Sequence, residues 1–255
     1  MSDRHIVLIT GANTGIGYEA AKALLESGRS YCILLGCRSL EKAQYAIERL
    51  GQEVPSTRSV LDAVQVDIAS DESIEGAFEH VSASHGRLDA LVNNAGASFD
   101  WELKAGQISL RESWNKAFEV NVRADPRLLF LTSGLSSLQR TSNKLLSAGD
   151  LTPPAAGWPK EDLPAFDTMA YRSRKTALNM TMLNWAWRLA NDGVKTWCVS
   201  PGFLATNLGN SADLLKQRGA GDPSIGGRFV RDVVEGQRDA DVGKVVFNDG
   251  TVQPF

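Results

Sequence analysis

The stretch TGANTGIG, residues 10–17, decides the fold of this chain. It follows an apolar, β-branched run, His5–Ile9, which predicts a buried strand. The residues after it, Tyr18–Glu26, are good helix formers. This order of strand, glycine turn and helix is that of a dinucleotide site, where a pyrophosphate lies at the helix N-terminus. An ordinary strand-to-helix turn is the alternative, because the spacing of Gly11, Gly15 and Gly17 is not the commoner G-x-G-x-x-G.

The composition is that of a globular protein and excludes several classes of partner. The chain has 255 residues, of which 43% are hydrophobic and 22% charged, and a formal net charge of −3. Without clustered Lys and Arg, no nucleic acid is expected as a partner. No apolar run approaches the roughly 18 residues of a membrane span, and residues 1–4 open no signal peptide, so we expect no membrane association.

The cysteines predict the compartment. Their number is three, an odd number, and Cys32, Cys37 and Cys198 have no metal-like spacing. This pattern favours buried thiols in a reducing cytoplasm over disulfides, and it predicts no metal site.

A second apolar run, Tyr31–Gly36, predicts the next strand, and a helix is predicted over Leu40–Leu50. In a dinucleotide fold the residue just past this strand faces the adenosine ribose. An acidic residue there binds the 2′-hydroxyl of NAD, and an arginine binds the 2′-phosphate of NADP. No Asp or Glu lies between Gly28 and Leu40, whereas Arg38 does. The sequence therefore predicts a preference for NADP(H) over NAD(H), with a solvated surface arginine as the alternative.

Two further strands are predicted, one at Val64–Ile68 and one from Leu88 into Asn93-Asn94-Ala95-Gly96. Asp67, near the end of the first, could accept from an adenine amino group or cap the helix predicted over Asp71–Ser84. The small residues that end the second leave room for a flat ligand in the crevice of the sheet, although their composition would also suit a turn.

Two later motifs supply chemistry. YRSRK, residues 171–175, places Tyr171 and Lys175 four residues apart and so on one helix face, and PGFLAT follows at residues 201–206. A free phenol has a pKa of roughly 10. A nearby ammonium lowers that pKa, so the pair suits a general acid that protonates a carbonyl oxygen while a cofactor delivers hydride to the carbon. A core tyrosine beside a surface lysine is the alternative if the pair is taken alone.

With these four motifs in this order, the chain resembles the short-chain dehydrogenase/reductase family over nearly its whole length. The resemblance implies an α/β fold that is doubly wound and Rossmann-like, with a mostly parallel sheet and helices on both faces. Residues 1–255 are then a single NAD(P)-binding reductase domain.

The resemblance also implies which residues do the chemistry. Ser133, at the end of the fifth strand, would hydrogen-bond the carbonyl, with Ser136 and Ser137 as less close matches. Asn121 would hold a proton-relay water, and Lys175 would also hold the nicotinamide ribose. Leu204 and Thr206 would contact the nicotinamide carboxamide. The expected cofactor contacts are Gly11, Asn13, Thr14, Gly15, Ile16, Gly17, Arg38, Asp67, Ile68, Asn93, Ala95, Gly96, Tyr171, Lys175, Pro201, Gly202, Leu204 and Thr206.

The chain departs from the family between Asn121 and Ser133, where only 11 residues intervene. Active-site residues lie at the carboxyl edge of the sheet, and a parallel strand must start at the opposite edge, roughly 17–20 Å away. Residues 122–126 reach about 17 Å at most when fully extended. We therefore expect either a displaced Asn121 or a shifted fifth strand, with a loss of stability or of activity.

Two other segments depart from regular structure. Residues 134–167 are rich in proline and predict an irregular insertion, similar to that of carbonyl-reductase-like members, which favours a monomer or weak homo-oligomer. Trp158 could anchor this segment against the Tyr-Lys helix, or the segment could be a flexible surface loop. Residues 207–227 predict a lid over the substrate.

The sequence thus predicts a cytoplasmic oxidoreductase that transfers hydride from NADPH to a ketone or aldehyde, reversibly, with Tyr171 as the general acid. The alternative is a non-catalytic NADP(H)-binding protein or an inactive shortened isoform. The expected partner is a small carbonyl or alcohol.

Overall fold

The computed structural model describes residues 4–96, 126–142, 156–158, 169–206, 208 and 212–255. In this part of the chain, eight strands form one sheet in the order β3-β2-β1-β4-β5-β6-β7-β8. All neighbours pair in parallel except β7 and β8, which are antiparallel. The predicted doubly wound, mostly parallel sheet is confirmed. The strands are β1 His5–Thr10, β2 Tyr31–Cys37, β3 Val60–Gln65, β4 Ala90–Asn93, β5 Arg127–Leu131, β6 Lys195–Ser200, β7 Val245–Phe247 and β8 Val252–Gln253.

Helices cover both faces of the sheet, as predicted. One face carries the apolar residues of the first, second and last of these helices, and the other face packs against the third and the fifth. Ser70 caps the third helix by accepting from the amide of Ser73 at 3.3 Å. The helices are α1 Gly15–Leu25, α2 Leu40–Glu53, α3 Asp71–His85, α4 Leu138–Ser142, α5 Met169–Arg188, α6 Ala212–Gln217 and α7 Pro223–Val234.

The order of the strands creates the crevice that a ligand needs. β1 pairs with β2 on one side and with β4 on the other, so the chain changes direction across the sheet at this point. In open α/β sheets, ligands bind beyond the carboxyl ends of the strands at such a switch point. The glycine turn that follows β1 and the small residues that follow β4 lie there together.

Two strands differ from the sequence prediction. β3 runs from Val60 to Gln65, so the predicted strand Val64–Ile68 was placed four residues too late. The prediction extended to Val66 and Ile68 because both are apolar, but these residues pack against the core after the strand has ended. At the other edge, β7 is followed by the two-residue strand β8, which the sequence did not reveal.

β5 lies in normal register despite the short segment before it. Its first residue, Arg127, pairs with Ala90 of β4 and Lys195 of β6, which are also the first residues of their strands. The expectation of a shifted fifth strand is therefore wrong. The other possibility, a displaced Asn121, lies outside the described residues.

A partly buried ion cluster fixes the start of β5. The Arg127 guanidinium donates to both carboxylate oxygens of Asp239, at 2.6 and 3.0 Å, and the same carboxylate accepts from Lys195 Nζ at 2.7 Å. The bond from Arg127 lowers the pKa of Asp239 to about 2. Since charge-assisted, bidentate bonds are directional, the cluster holds the first residues of β5 and β6 level with each other.

The predicted insertion and lid are only partly as expected. The insertion 134–167 begins with a 3₁₀ turn, Gly134–Ser136, and helix α4, so its start is regular. Trp158 is 87% exposed, and it therefore does not anchor the insertion against α5. The predicted lid 207–227 includes α6 and ends inside α7, where Gly226 and Gly227 are buried. Residues 223–227 thus form the start of α7, and a lid role for the segment before them stays a prediction.

Helix α7 crosses α1 at a point where only glycine fits. A Cβ on Gly227 would lie 2.4 Å from the carbonyl carbon of Glu19, well inside the contact distance of two carbon atoms. By contrast, a Cβ on Gly76 of α3 would meet nothing within 4 Å. The close crossing at Gly227 therefore sets how α7 packs on the helix that follows the glycine turn.

We expect Gly227→Ala to lower the free energy of unfolding by about 2–3 kcal/mol, because the overpacked crossing outweighs the gain in helix propensity. The matched variant Gly76→Ala, in an open helical position, should raise it by up to about 1 kcal/mol. Urea unfolding followed by circular dichroism measures both. A Gly227→Ala protein as stable as the wild type would contradict the close crossing.

Candidate active site

The glycine turn after β1 adopts backbone angles and close contacts that favour glycine. Gly11 and Gly15 have φ values of 65° and 59°, in the left-handed region. A Cβ on Gly11 would lie 3.0 Å from Cα of Ala95, in the loop after β4. A Cβ on Gly17 would lie 2.5 Å from the Asn94 side-chain nitrogen. Gly11 therefore lets the turn approach the backbone of the loop after β4, and Gly17 leaves room for the Asn94 side chain.

The N-terminus of α1 suits a phosphate group. Its N-cap, Thr14, is extended and makes no side-chain capping bond, and the first turn of the helix has no acidic residue. Its amides and the positive end of the helix dipole are therefore available to an anion. The predicted contacts Asn13, Thr14, Gly15, Ile16 and Gly17 all lie in this turn, and they fit the pyrophosphate of a dinucleotide.

Asn94 joins this turn to β4, although the expected contacts were Asn93, Ala95 and Gly96. Its side-chain nitrogen donates to the carbonyls of Thr10 and Gly11 at 2.8 and 3.2 Å. The Thr10 hydroxyl in turn accepts from the amides of Asn94 and Ala95, at 3.1 and 3.0 Å. The Asn-Asn doublet was the only signal in the sequence, and it did not say which of the two faces inward.

The residues predicted around the adenosine differ in what the structure shows. Arg38 lies just past β2 and is exposed, with its guanidinium accessible to a ligand. Asp67 lies beyond β3, and its carboxylate accepts from the amide of Ala69 at 3.0 Å. This bond lies within the loop and does not cap α3, whose N-cap is Ser70, so the capping alternative is wrong and the contact with adenine stays a prediction. Ile68 is half-buried and packs against the core.

The segment after β6 reaches the glycine turn. The side chain of Thr206 lies 3.8 Å from where a Cβ of Gly15 would be. The Pro201 carbonyl accepts from the side-chain nitrogen of Asn248 at 2.8 Å. Gly202, the next residue, has a φ of 98°. The Leu204 side chain packs against Gly221 and Gly226, so only the backbone of Leu204 remains for the predicted contact with a carboxamide.

Tyr171 and Lys175 lie on the first turns of α5, directly above the end of β5. Lys175 Nζ donates to the Leu131 carbonyl at 2.6 Å and lies 5.9 Å from the centroid of the Tyr171 ring. Burial is the main cause that lowers the pKa of Lys175 to about 8, with Cys198 acting in the opposite direction and Arg174 in the same direction. A positive charge is thus held next to the half-buried phenol, as the pair's spacing predicted. The helix face that continues from them packs Leu178, Met182 and Trp185 into the core.

Ser133 lies just past β5 at the same edge. Its hydroxyl accepts from the amide of Leu135 at 3.2 Å, which makes Ser133 the cap of the 3₁₀ turn Gly134–Ser136. A hydroxyl that accepts one bond still has its proton to donate. Ser136 and Ser137, the less close matches, are fully buried, so Ser133 is the serine that a ligand could reach. Asn121 lies outside the described residues.

The described part of the chain holds neither a metal-binding group nor a membrane-spanning helix. No group of three His, Cys, Asp or Glu side chains there could hold a metal ion. No helix there is long and apolar enough to span a bilayer. All three cysteines are buried free thiols, as predicted.

Comparisons with known proteins agree with this geometry. A family model for "short chain dehydrogenase" matches residues 5–130. The short-chain dehydrogenase/reductase tropE of Talaromyces stipitatus is 47% identical over 274 residues, which cover 100% of this chain and 99% of that protein. The short-chain dehydrogenase/reductase eupG of a Phoma species is 42% identical over 275 residues, covering 98% of this chain and 97% of that protein.

Solved structures show the same fold. L-sorbose reductase from Gluconobacter frateurii, complexed with NADPH and L-sorbose, aligns with a TM-score of 0.68 at 20% identity, covering 99% of this chain and 97% of that one. Salutaridine reductase from Papaver somniferum aligns with a TM-score of 0.63 at 20% identity, covering 95% and 99%.

The alignment with tropE is also longer than this chain. It spans 274 residues against 255 here, so about 19 positions of the relative have no counterpart in this chain. This excess agrees with a shortened segment such as the one predicted between Asn121 and Ser133.

The buried lysine makes a testable contribution to stability. Folded Lys175 gives up its proton near pH 8, whereas an unfolded lysine keeps it up to about pH 10.5. Between these values the unfolded state binds more protons, so stability contributed by this group rises with pH. We expect the unfolding free energy of the wild type, measured relative to that of Lys175→Met, to rise over this window in urea titrations. The exposed lysine variant Lys42→Met is the control, and a flat difference for Lys175→Met would contradict the burial of its ammonium.

Proposed function

This chain belongs to the short-chain dehydrogenase/reductase family, and we propose on that premise that it is an NADPH-dependent reductase of ketones or aldehydes. The reaction is reversible, from alcohol to carbonyl. The observation that carries the proposal is the buried Lys175 ammonium, which lies beside the Tyr171 ring at the carboxyl edge of the sheet. An oxidoreductase needs a proton donor at this place, next to a crevice that suits a dinucleotide.

Each residue of the proposed site has its own role in the transfer of one proton and one hydride to the carbonyl. The bound nicotinamide supplies the hydride. Tyr171 protonates the carbonyl oxygen, and Lys175 favours the phenolate that remains and holds the nicotinamide ribose. Ser133 donates its hydroxyl proton to the carbonyl oxygen and so orients the substrate. Asn121 completes the proposed set by holding a relay water.

Cofactor choice follows from the residue after β2. Arg38 is exposed there, and the segment from Gly28 to Leu40 contains no acidic residue. A guanidinium binds a 2′-phosphate through two parallel charge-assisted bonds, whereas a 2′-hydroxyl gives it no charge to pair with. This supports NADPH over NADH. The buried free thiols are typical of a cytoplasmic protein.

A second candidate is an NADP(H)-binding protein without turnover. Two observations favour it: the shortened segment before β5 and the greater length of the relatives. The shortening directly follows the predicted relay residue Asn121 and is expected to displace it. A fluorescence titration with NADPH, combined with a turnover screen over ketones and aldehydes, separates the two candidates. Binding without turnover would favour the second.

We expect Tyr171→Phe to lower kcat by about 10³-fold, because it removes the general acid, while the Kd for NADPH stays within about twofold. NADPH oxidation with the best carbonyl compound of the screen and fluorescence titration measure the two quantities. Tyr45→Phe, at an exposed tyrosine of α2, is the matched control. Unchanged turnover in Tyr171→Phe would refute the assignment of the acid.

We expect Arg38→Asp to lower the ratio of kcat/KM for NADPH to that for NADH by about 100-fold, since a carboxylate repels the 2′-phosphate and accepts from a 2′-hydroxyl. Arg58→Asp makes the same change at an exposed arginine just before β3, at the opposite edge of the sheet, and should leave the ratio unchanged. If Arg38→Asp also leaves it unchanged, Arg38 does not select the cofactor.

A further inference from the structure

A cluster of buried polar side chains lies beneath Ser133. It consists of Thr132, Ser136, Asn179 and Gln253, which are 4%, 0%, 2% and 3% exposed. They come from the end of β5, the 3₁₀ turn, helix α5 and strand β8. Polar side chains this deeply buried need hydrogen bonds to offset the loss of their hydration.

Asn179 links the end of β5 to the turn that Ser133 caps. Its side-chain oxygen accepts from the Thr132 hydroxyl at 2.7 Å, and its nitrogen donates to the Ser136 hydroxyl at 3.0 Å. The Ser136 hydroxyl then donates to the Ser133 carbonyl at 2.6 Å. Asn179 is four residues after Lys175, so it lies one turn further along the same helix face.

Gln253 brings the C-terminal strand to the same carbonyl. Its side-chain nitrogen donates to the Ser133 carbonyl at 3.4 Å and to the Ser136 hydroxyl at 3.2 Å. In addition, the carbonyl of Phe255 accepts from the backbone amide of Gln139 at 3.1 Å, which connects the C-terminal segment to α4. The backbone of Ser133 is therefore held by residues from two distant parts of the chain.

The bonds of Gln253 come at a cost in stability. Its side-chain oxygen is buried and has no hydrogen-bond partner among the described residues. An apolar side chain of similar size would avoid this unsatisfied oxygen. A buried polar group that is imperfectly satisfied is more often found where function constrains a site than where packing alone does.

We infer that Asn179 and Gln253 are positioning residues that hold the backbone of Ser133 and thereby fix the direction of its hydroxyl towards the substrate carbonyl. This rests on the proposed function, in which Ser133 orients the substrate. The C-terminal strand β8 is then part of the catalytic apparatus and not only an edge of the sheet.

The test is a double-mutant cycle with Ser133→Ala. Gln253→Met keeps the size of the side chain but cannot donate, and we expect it to lower kcat by about tenfold with the KM for NADPH unchanged. In the Ser133→Ala background the same change should lower kcat no further, because the hydroxyl that it positions is absent. Equal losses in both backgrounds, or no loss in the wild-type background, would overturn the inference.

Asn179→Leu is the second variant for the cycle and is expected to behave in the same way. Gln52→Met, at an exposed position of α2, is the matched control and should leave kcat unchanged in both backgrounds. The carbonyl compound with the highest rate in the screen serves as the probe in all of these assays.

Hydrogen exchange supplies a readout that needs no turnover. The amide of Leu135 donates to the Ser133 hydroxyl, so its exchange should be faster in Gln253→Met than in wild type and unchanged in Gln52→Met. Unchanged exchange in Gln253→Met overturns the inference, whatever the activity. If Ser133→Ala turns over as fast as wild type while exchange responds as expected, the role of Ser133 in the proposed function fails instead.

Discussion

The bond between the Lys175 ammonium and the Leu131 carbonyl joins helix α5 to the sheet. A charge in this position loses its hydration, which is why the pKa of Lys175 falls to about 8. The same burial keeps the charge close to the phenol of Tyr171, where a hydrated surface lysine would be free to move away. Holding this one positive charge in place therefore costs folding stability.

Most of the fold and much of the site could be predicted because their signals are local. A strand, a glycine turn and a helix occupy consecutive residues, and the positive φ of Gly11 and Gly15 explains why glycine occurs there. Tyr171 and Lys175 are four residues apart on one helix, so their proximity follows from helix geometry alone.

What could not be predicted depends on contacts between distant residues. β3 lies at an edge of the sheet, and its exposed positions weaken the apolar signal that defines a strand. β8 is two residues long, and only its pairing with β7 makes it a strand. Two contacts form only when the whole sheet has assembled. They are the bond from the Asn94 side chain to the Thr10 carbonyl and the bond from Gln253 to the Ser133 carbonyl.

The ion cluster at the start of β5 has an evolutionary consequence. Arg127 and Asp239 fix the first residue of the strand, and Lys175 holds the carbonyl of its last residue, so neither end of β5 takes its position from the segment before it. An in-frame deletion in the gene upstream of Pro126 would leave the strand in register. Natural selection would then act on such a deletion through lost turnover and not through a misplaced strand.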